Sequence, residues 1–192
     1  MSLLPEFELG VWNAWILMLF FPLQPLIMMG IDRAIGTGDI WKKMGDWPEE
    51  EKERRLNRVY MVIELLLIAY SIFLPLKAGT SWLIAGLAVY LAGLVMMIAM
   101  LVTASTTPSG QPFTTGIYRF SRHPGYLSQS LILIGVGVAS ASWVVLLVAV
   151  FLWFILAAFV AGEERTCLHT FGEPYRDYLE RTPRWIGIPR SR

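Results

Sequence analysis

The stretch WVVLLVAVFLWFILAAFVA, residues 143–161, decides the fold of this chain. It contains no charged residue, and as a helix rising about 1.5 Å per residue it is long enough to cross the apolar core of a bilayer, about 30 Å thick. The composition agrees, since the 192 residues are 55% hydrophobic and 16% charged. A soluble domain usually carries about 25% charged residues. The sequence therefore predicts an integral membrane protein.

Four further apolar segments precede this stretch, so we expect an all-α protein with about five transmembrane helices. Pro22 and Pro25 predict a kink in the first segment. A charged surface helix starting near Pro48 is expected to lead into the second. The first four segments cover approximately residues 11–29, 59–76, 81–102 and 126–139.

The five segments are expected to form a single membrane domain over residues 1–192. Residues 1–103 hold three N-terminal spans. Residues 104–192 hold a polar loop, a helical hairpin made of segments four and five, and a polar C-terminal tail. The turn of the hairpin is the small-residue stretch 139–142.

The distribution of basic residues predicts the orientation of the chain. Five spans place residues 32–58, residues 103–125 and the C-terminal tail on one side, and these regions carry 15 of the 16 Lys and Arg residues. The opposite side has Lys77 alone. Because basic residues are enriched in cytoplasmic loops, we expect the C-terminus to be cytoplasmic and the N-terminus to be outside.

Polar residues with chemical potential collect on the predicted cytoplasmic side. The hairpin should bring His123, at the start of segment four, close to Glu163, at the end of segment five. Pro124 marks a helix start, so His123 would lie beside free backbone amides that suit an anionic group. Each residue also has a structural interpretation: the arginines as membrane anchors, the tyrosines as interface residues, and paired acids as helix caps.

Three further observations narrow the functional classes. Glu64 lies within a predicted span, where an ionisable residue marks either a functional site or a buried pair with an arginine such as Arg58. We expect no metal site, because His123 and His169 lie on different elements. No basic stripe stands free of the apolar segments, so we expect no nucleic-acid partner.

The stretch TGIYRFSRHPGY, residues 115–126, resembles the isoprenylcysteine carboxyl methyltransferase family. The resemblance continues through Glu163-Glu164 and the stretch FGEPY, residues 171–175. Phospholipid N-methyltransferases share the general plan. The resemblance implies an S-adenosylmethionine-dependent methyltransferase with a cytoplasmic cofactor pocket. Its methyl acceptor would be small or lipid-like, such as an isoprenylcysteine carboxylate.

The resemblance also implies roles for individual residues. The two residues suggested for the acceptor side, and so for catalysis, are Arg122 and Glu164. The residues implied to bind the cofactor are Pro112, Phe113, Gly116, Tyr118, His123, Pro124, Gly125, Tyr126 and Glu163.

One departure from the family pattern bears on the acceptor. Where the prenylcysteine enzymes have an arginine for the substrate carboxylate, this chain has Phe159, so a carboxylate, a thiol and an amine all stay open as acceptors. A membrane reductase of the sterol type, using NADPH, is an alternative, although such enzymes usually have Asn where this chain has Gly125. A non-catalytic membrane scaffold is a third alternative, and the oligomeric state is not predicted.

Overall fold

A computed structural model describes residues 8–36, 38–45 and 51–189, and every regular element in these residues is a helix. The all-α prediction is therefore confirmed. The helices in chain order are α1 (Trp15–Met18), α2 (Phe20–Ile35), α3 (Ile40–Gly45), α4 (Glu51–Ser71), α5 (Ser81–Thr106), a 3-10 helix (Gly116–Arg119), α6 (Pro124–Ala139), α7 (Trp143–Phe171) and α8 (Glu173–Arg181).

Three helical stretches are long and apolar enough to cross a membrane, and they support the membrane prediction. They are Trp15–Ile35, formed by α1 and α2, Ser81–Thr106 and Trp143–Phe171. The apolar helix α6 has 16 residues, and α4 has 21 residues but begins with a charged turn. Whether α4 and α6 also cross the membrane stays a prediction. The number of spans and the orientation of the termini therefore stay predictions too.

The second segment differs from its predicted bounds at both ends. Helix α4 begins at Glu51, where ion pairs from Arg54 and Arg55 to Glu51 support the first turns. The predicted start near Pro48 lies outside the described residues. The helix ends at Ser71 and not at residue 76, because Pro75 cannot continue a helix and the preceding backbone turns back towards the N-terminal segment.

Glu64, in the middle of α4, is half-buried and does not pair with Arg58. The nearest ion-pair contact of Arg58 is a distance of 3.8 Å to Glu51. Glu64 instead lies within electrostatic range of Tyr60, whose hydroxyl donates a hydrogen bond of 3.1 Å to Gln129 on α6. The suggested pair of Glu64 with Arg58 is therefore wrong, and α4 is linked to the hairpin through a tyrosine.

Helices α5 and α6 pack with their backbones unusually close, because glycines face each other's main chain. A Cβ atom at Gly135 would lie 2.6 Å from the backbone nitrogen of Tyr90, and one at Gly86 would overlap the backbone of Ala139. Neither position tolerates a side chain without movement of the helices. This close packing fixes α6, and with it the loop that precedes α6, against the end of α5.

Helix α7 continues without interruption from the apolar stretch to Phe171. Ser142 caps its first turn by accepting a hydrogen bond from the Val145 amide. Gly172, with φ of 61°, ends the helix and allows α8 to begin directly. Glu163 and Glu164 therefore lie on the same rigid helix as the apolar stretch.

Candidate active site

The loop between α5 and α6 has a shape that its sequence dictates. Gly116 has φ of 56°, and a Cβ atom there would overlap the hydroxyl of Thr103 at the end of α5. Glycine is therefore required for both its conformation and the close approach. Pro124 occupies the first turn of α6 and His123 is its N-cap residue, as predicted from the sequence.

The hairpin of α6 and α7 places His123 against both acidic residues of α7. Its Nδ1 atom lies 3.1 Å from Glu163 Oε2, and its Nε2 atom lies 3.2 Å from Glu164 Oε1. The predicted approach of His123 and Glu163 is thus confirmed. Only a protonated imidazole can donate both hydrogen bonds.

The charge of His123 depends on two opposing effects. Burial by itself lowers the pKa of the imidazole, but the hydrogen bonds and charges of Glu163 and Glu164 outweigh burial. The net effect raises the pKa of His123 above its ordinary value, so that the two carboxylates favour the imidazolium form.

Glu164 is the centre of a charge network. Its carboxylate lies 3.0 Å from Arg122 Nη1 and 2.7 Å from Arg184 Nη2, and its side chain is only 11% exposed. With His123, three cationic side chains surround one largely buried carboxylate. The network ties the α5–α6 loop, α7 and the C-terminal segment together.

The C-terminal segment, residues 182–188, lies across this network as a strap. The amide of Arg122 donates a hydrogen bond of 3.1 Å to the carbonyl of Pro183, and the amide of Gly187 donates one of 3.0 Å to the carbonyl of Phe120. The ring of Trp185 packs against Trp153, with centroids 4.4 Å apart. Sequence reasoning missed Arg184, since no spacing connects the residues after α8 with the α7 acids.

Two adjoining cavities lie beside the network. The first has a volume of about 70 Å³ and lies between the α5–α6 loop, α7 and α8. The second, of about 290 Å³, extends into the helix bundle between α2, α5, α6 and α7. The residues that line both cavities are Phe113, Tyr118, Arg122 and Glu163.

Most of the residues predicted to bind a cofactor lie around these cavities. Pro112 lines the first cavity, and Gly116 lies behind the loop against Thr103. Those that line the second cavity are Phe113, Tyr118, His123, Pro124, Gly125, Tyr126 and Glu163. Of the two suggested catalytic residues, Arg122 lines both cavities, whereas Glu164 is held in the charge network behind them.

The shared wall carries opposite charges side by side. Glu163 Oε2 lies 3.1 Å from Nδ1 of His123, and Glu163 is also within electrostatic range of Tyr126. The Nε atom of Arg122 is buried and has no hydrogen-bond partner within residues 8–36, 38–45 and 51–189, although its Nη1 atom is paired with Glu164. An unpaired buried donor of a charged group costs free energy, so its position suits an anionic ligand group.

Several cavity residues were not among the predicted site residues, although Tyr175 lies in the FGEPY stretch that contributes to the resemblance. Tyr175 and Tyr178 of α8 line the first cavity, and the Tyr178 hydroxyl donates a hydrogen bond of 2.7 Å to the carbonyl of Tyr118. Gln24 and Glu53 reach the second cavity from α2 and α4. Gln24, Glu53 and the two α8 tyrosines come from three separate parts of the chain, and no periodic pattern marks these parts as neighbours.

Comparison with known proteins adds the decisive observation. The family model for phospholipid methyltransferases matches residues 76–174, which is more than half of the chain. The chain belongs to the phospholipid methyltransferase family. This family is grouped with the isoprenylcysteine carboxyl methyltransferases among the integral membrane methyltransferases. The match spans α5 to α7 and therefore both sides of the charge network.

Membership in the phospholipid methyltransferase family identifies the chain as a membrane methyltransferase. No curated protein sequence matches the chain. Helices α1 to α4 and the strap lie outside the matched residues, so Glu53 and Arg184 are features of this chain that the family model does not cover.

Proposed function

We propose that this protein transfers the methyl group of S-adenosylmethionine to a lipid-like acceptor that enters the second cavity from the bilayer. The observation that carries the proposal is the shared wall of the two cavities, where Arg122 and Glu163 lie together. The amino-acid end of the cofactor carries one ammonium and one carboxylate. A carboxylate and a guanidinium with an unpaired donor match that pair of charges.

Each residue of the proposed cofactor site has a defined task. Glu163 holds the ammonium, and Arg122 holds the carboxylate through its free Nε donor. The rings of Phe113 and Tyr118, with centroids 5.4 Å apart, offer aromatic surfaces to the base and to the sulfonium cation. His123 holds the carboxylate of Glu163 in place through its Nδ1 atom.

Glu164 fits a positioning role better than the acceptor-side role suggested from the sequence. Its oxygens are within 3.2 Å of His123, Arg122 and Arg184. By holding Arg122 and His123, it orients the two residues that contact the cofactor and Glu163.

For methyl transfer, the protein mainly has to position the cofactor and the acceptor relative to each other. The cofactor supplies a methyl group on a sulfonium sulfur, which a nucleophile displaces in line without a metal. The helical walls hold the two reactants together and exclude water, which are the main sources of rate for such a step. The apolar residues Met97, Met100 and Phe159 on the bundle side of the second cavity fit an acceptor with a hydrocarbon part.

An isoprenylcysteine carboxylate is the finer expectation from the sequence resemblance, and the cavity does not favour it. Phe159 lines the second cavity at the position where the prenylcysteine enzymes have an arginine. An apolar ring offers no charge to a carboxylate, so this acceptor would lack its partner.

Turnover tests the proposal directly. The purified protein is incubated in lipid vesicles with methyl-labelled S-adenosylmethionine, and label in the lipid fraction is measured for the wild type, for Glu163→Gln and for Glu173→Gln. Glu173 is an exposed acid of α8 paired with Arg176, so it serves as the matched control. We expect transfer by the wild type and the control, and a loss of about a hundredfold in Glu163→Gln. Equal transfer by all three would contradict the proposed site.

A further inference from the structure

Gln129 of α6 places a polar amide in the mostly apolar wall of the second cavity that faces the helix bundle. The same wall includes Met97 and Phe159. Gln129 lies five residues after Pro124, the first residue of α6, and so about 7 Å further along that helix. The amide is therefore deeper in the bundle than the charged wall of the proposed cofactor site.

Tyr60 of α4 sets the orientation of this amide. Its hydroxyl donates a hydrogen bond of 3.1 Å to Oε1 of Gln129. Tyr60 is buried, and it is not among the described residues that line the cavity, so it acts from outside the cavity wall. Because the carbonyl end of the amide is engaged by α4, its two N–H groups are turned away from Tyr60.

These N–H groups are available to a ligand. Within the described ranges, the Gln129 side chain makes no hydrogen bond besides the one from Tyr60. An amide donor left unpaired in an apolar surrounding costs free energy. A ligand oxygen that accepts a hydrogen bond from Gln129 in the cavity would remove this cost.

The other amide of this wall, Gln24 of α2, is held differently. Its Nε2 atom donates to the sulfur of Met97 over 3.8 Å. Among the residues that the structure describes, no donor engages the carbonyl oxygen of Gln24. Gln129 is therefore the amide whose orientation a neighbouring helix sets, and that helix lies outside the part of the chain that the family model matches.

We propose that Gln129 is a specificity-determining residue that donates a hydrogen bond to an uncharged oxygen of the acceptor, of the ester-carbonyl class, and that Tyr60 is the positioning residue that orients it. This inference rests on the proposed methyl transfer. A neutral donor in an apolar wall suits an uncharged oxygen, because it cannot compensate the desolvation of an anion.

The depth of Gln129 agrees with this class of oxygen. In a lipid-like acceptor, ester carbonyls lie between the polar end and the hydrocarbon chains. The order along the second cavity is the same: the charged wall with Glu163 comes first, Gln129 follows deeper along α6, and apolar side chains surround it. A few well-placed polar groups in an apolar pocket are what fixes the orientation of a ligand.

Two lipids that differ only in their ester carbonyls test the inference. Transfer of labelled methyl is measured in dodecyl maltoside micelles with a diacyl phosphatidylethanolamine and with the dialkyl ether lipid of equal chain length. The ether lipid leaves the amide of Gln129 unpaired. We expect the wild type to prefer the ester lipid by about tenfold in kcat/KM, and Gln129→Leu to lose this preference.

Variants of two tyrosines test the positioning role. Tyr60→Phe should lower the preference for the ester lipid, because the amide of Gln129 is no longer held. Tyr90→Phe is the matched control and should equal the wild type. Tyr90 has the same exposure as Tyr60, 7%, and donates a hydrogen bond of 2.8 Å to the carbonyl of Leu17, outside the described lining of both cavities.

The double variant separates positioning from a general structural effect. If Tyr60 acts only through Gln129, adding Tyr60→Phe to Gln129→Leu should not lower kcat/KM for the ester lipid further. Additive losses would overturn the positioning role of Tyr60.

Binding of S-adenosylhomocysteine separates this inference from the proposed function. Each variant should bind it within about twofold of the wild type, which also shows that the variant is folded. Loss of this binding in Gln129→Leu would overturn the inference, because Gln129 would then belong to the cofactor site. A wild type that binds it but methylates neither lipid, or both equally, would overturn the role of Gln129 alone. A folded wild type that does not bind it would overturn the proposed function.

Discussion

The two halves of the molecule differ in how their buried charged groups are paired. In the half that matches the family, from α5 to α7, Glu164 pairs with His123 and Arg122 at 3.2 and 3.0 Å, and with Arg184 of the strap at 2.7 Å. In the N-terminal half, Oδ1 of buried Asp32 has no hydrogen-bond partner among the described residues, and Glu53 lines the second cavity. The family half thus pairs its charged groups closely with one another, whereas the N-terminal half adds residues to the second cavity that the family model does not cover.

Removing the charge of Glu164 should have the largest effect on stability. Glu164→Gln leaves Arg122 and His123 without their shared carboxylate inside the protein, which costs about 3 kcal/mol. In the N-terminal half, Glu51→Gln removes an equally charged but 56% exposed carboxylate and should change stability little. Thermal unfolding in detergent measures both variants. A Glu164→Gln variant as stable as Glu51→Gln would show that the network does not support the fold.

The glycine packing of α5 against α6 offers a second comparison between the halves. Gly86→Ala forces a methyl group into the backbone of Ala139 and should destabilise the protein by about 1–3 kcal/mol. Gly30→Ala, in α2, meets open space and should be neutral or slightly stabilising, because alanine favours a helix. The same unfolding assay measures the pair. Similar midpoints for the two variants would contradict the close packing.

The sequence predicts the family half better than the N-terminal half, for physical reasons. The apolar runs, the short turn at 139–142 and Pro124 at a helix start together require His123 and Glu163 to meet. Nothing comparable relates Glu53 to Gly162, because the two residues meet through packing of separate helices. Arg184 was not predicted for the same reason, since the strap folds back onto the α5–α6 loop only after α8 has ended.

The charge of His123 predicts a smaller, pH-dependent effect. Folding raises the pKa of His123 above 6.5, its ordinary value. The imidazolium form therefore contributes stability that is fully present below about pH 6.5 and is lost as the pH rises through the folded-state pKa. Unfolding midpoints of the wild type should fall over this range, relative to those of His123→Asn. A constant difference between the two proteins across the range would show that His123 does not titrate there.

The central claim is that the wall formed by Arg122 and Glu163 binds the cofactor. Calorimetric titration of the detergent-purified protein with S-adenosylhomocysteine tests this most directly, beside Glu163→Gln, His123→Ala and the surface control Glu173→Gln. Saturable binding by the wild type and the control, weakened about tenfold or more in the two site variants, is the predicted result. No binding by a folded wild type, or equal binding by all four proteins, would contradict the account.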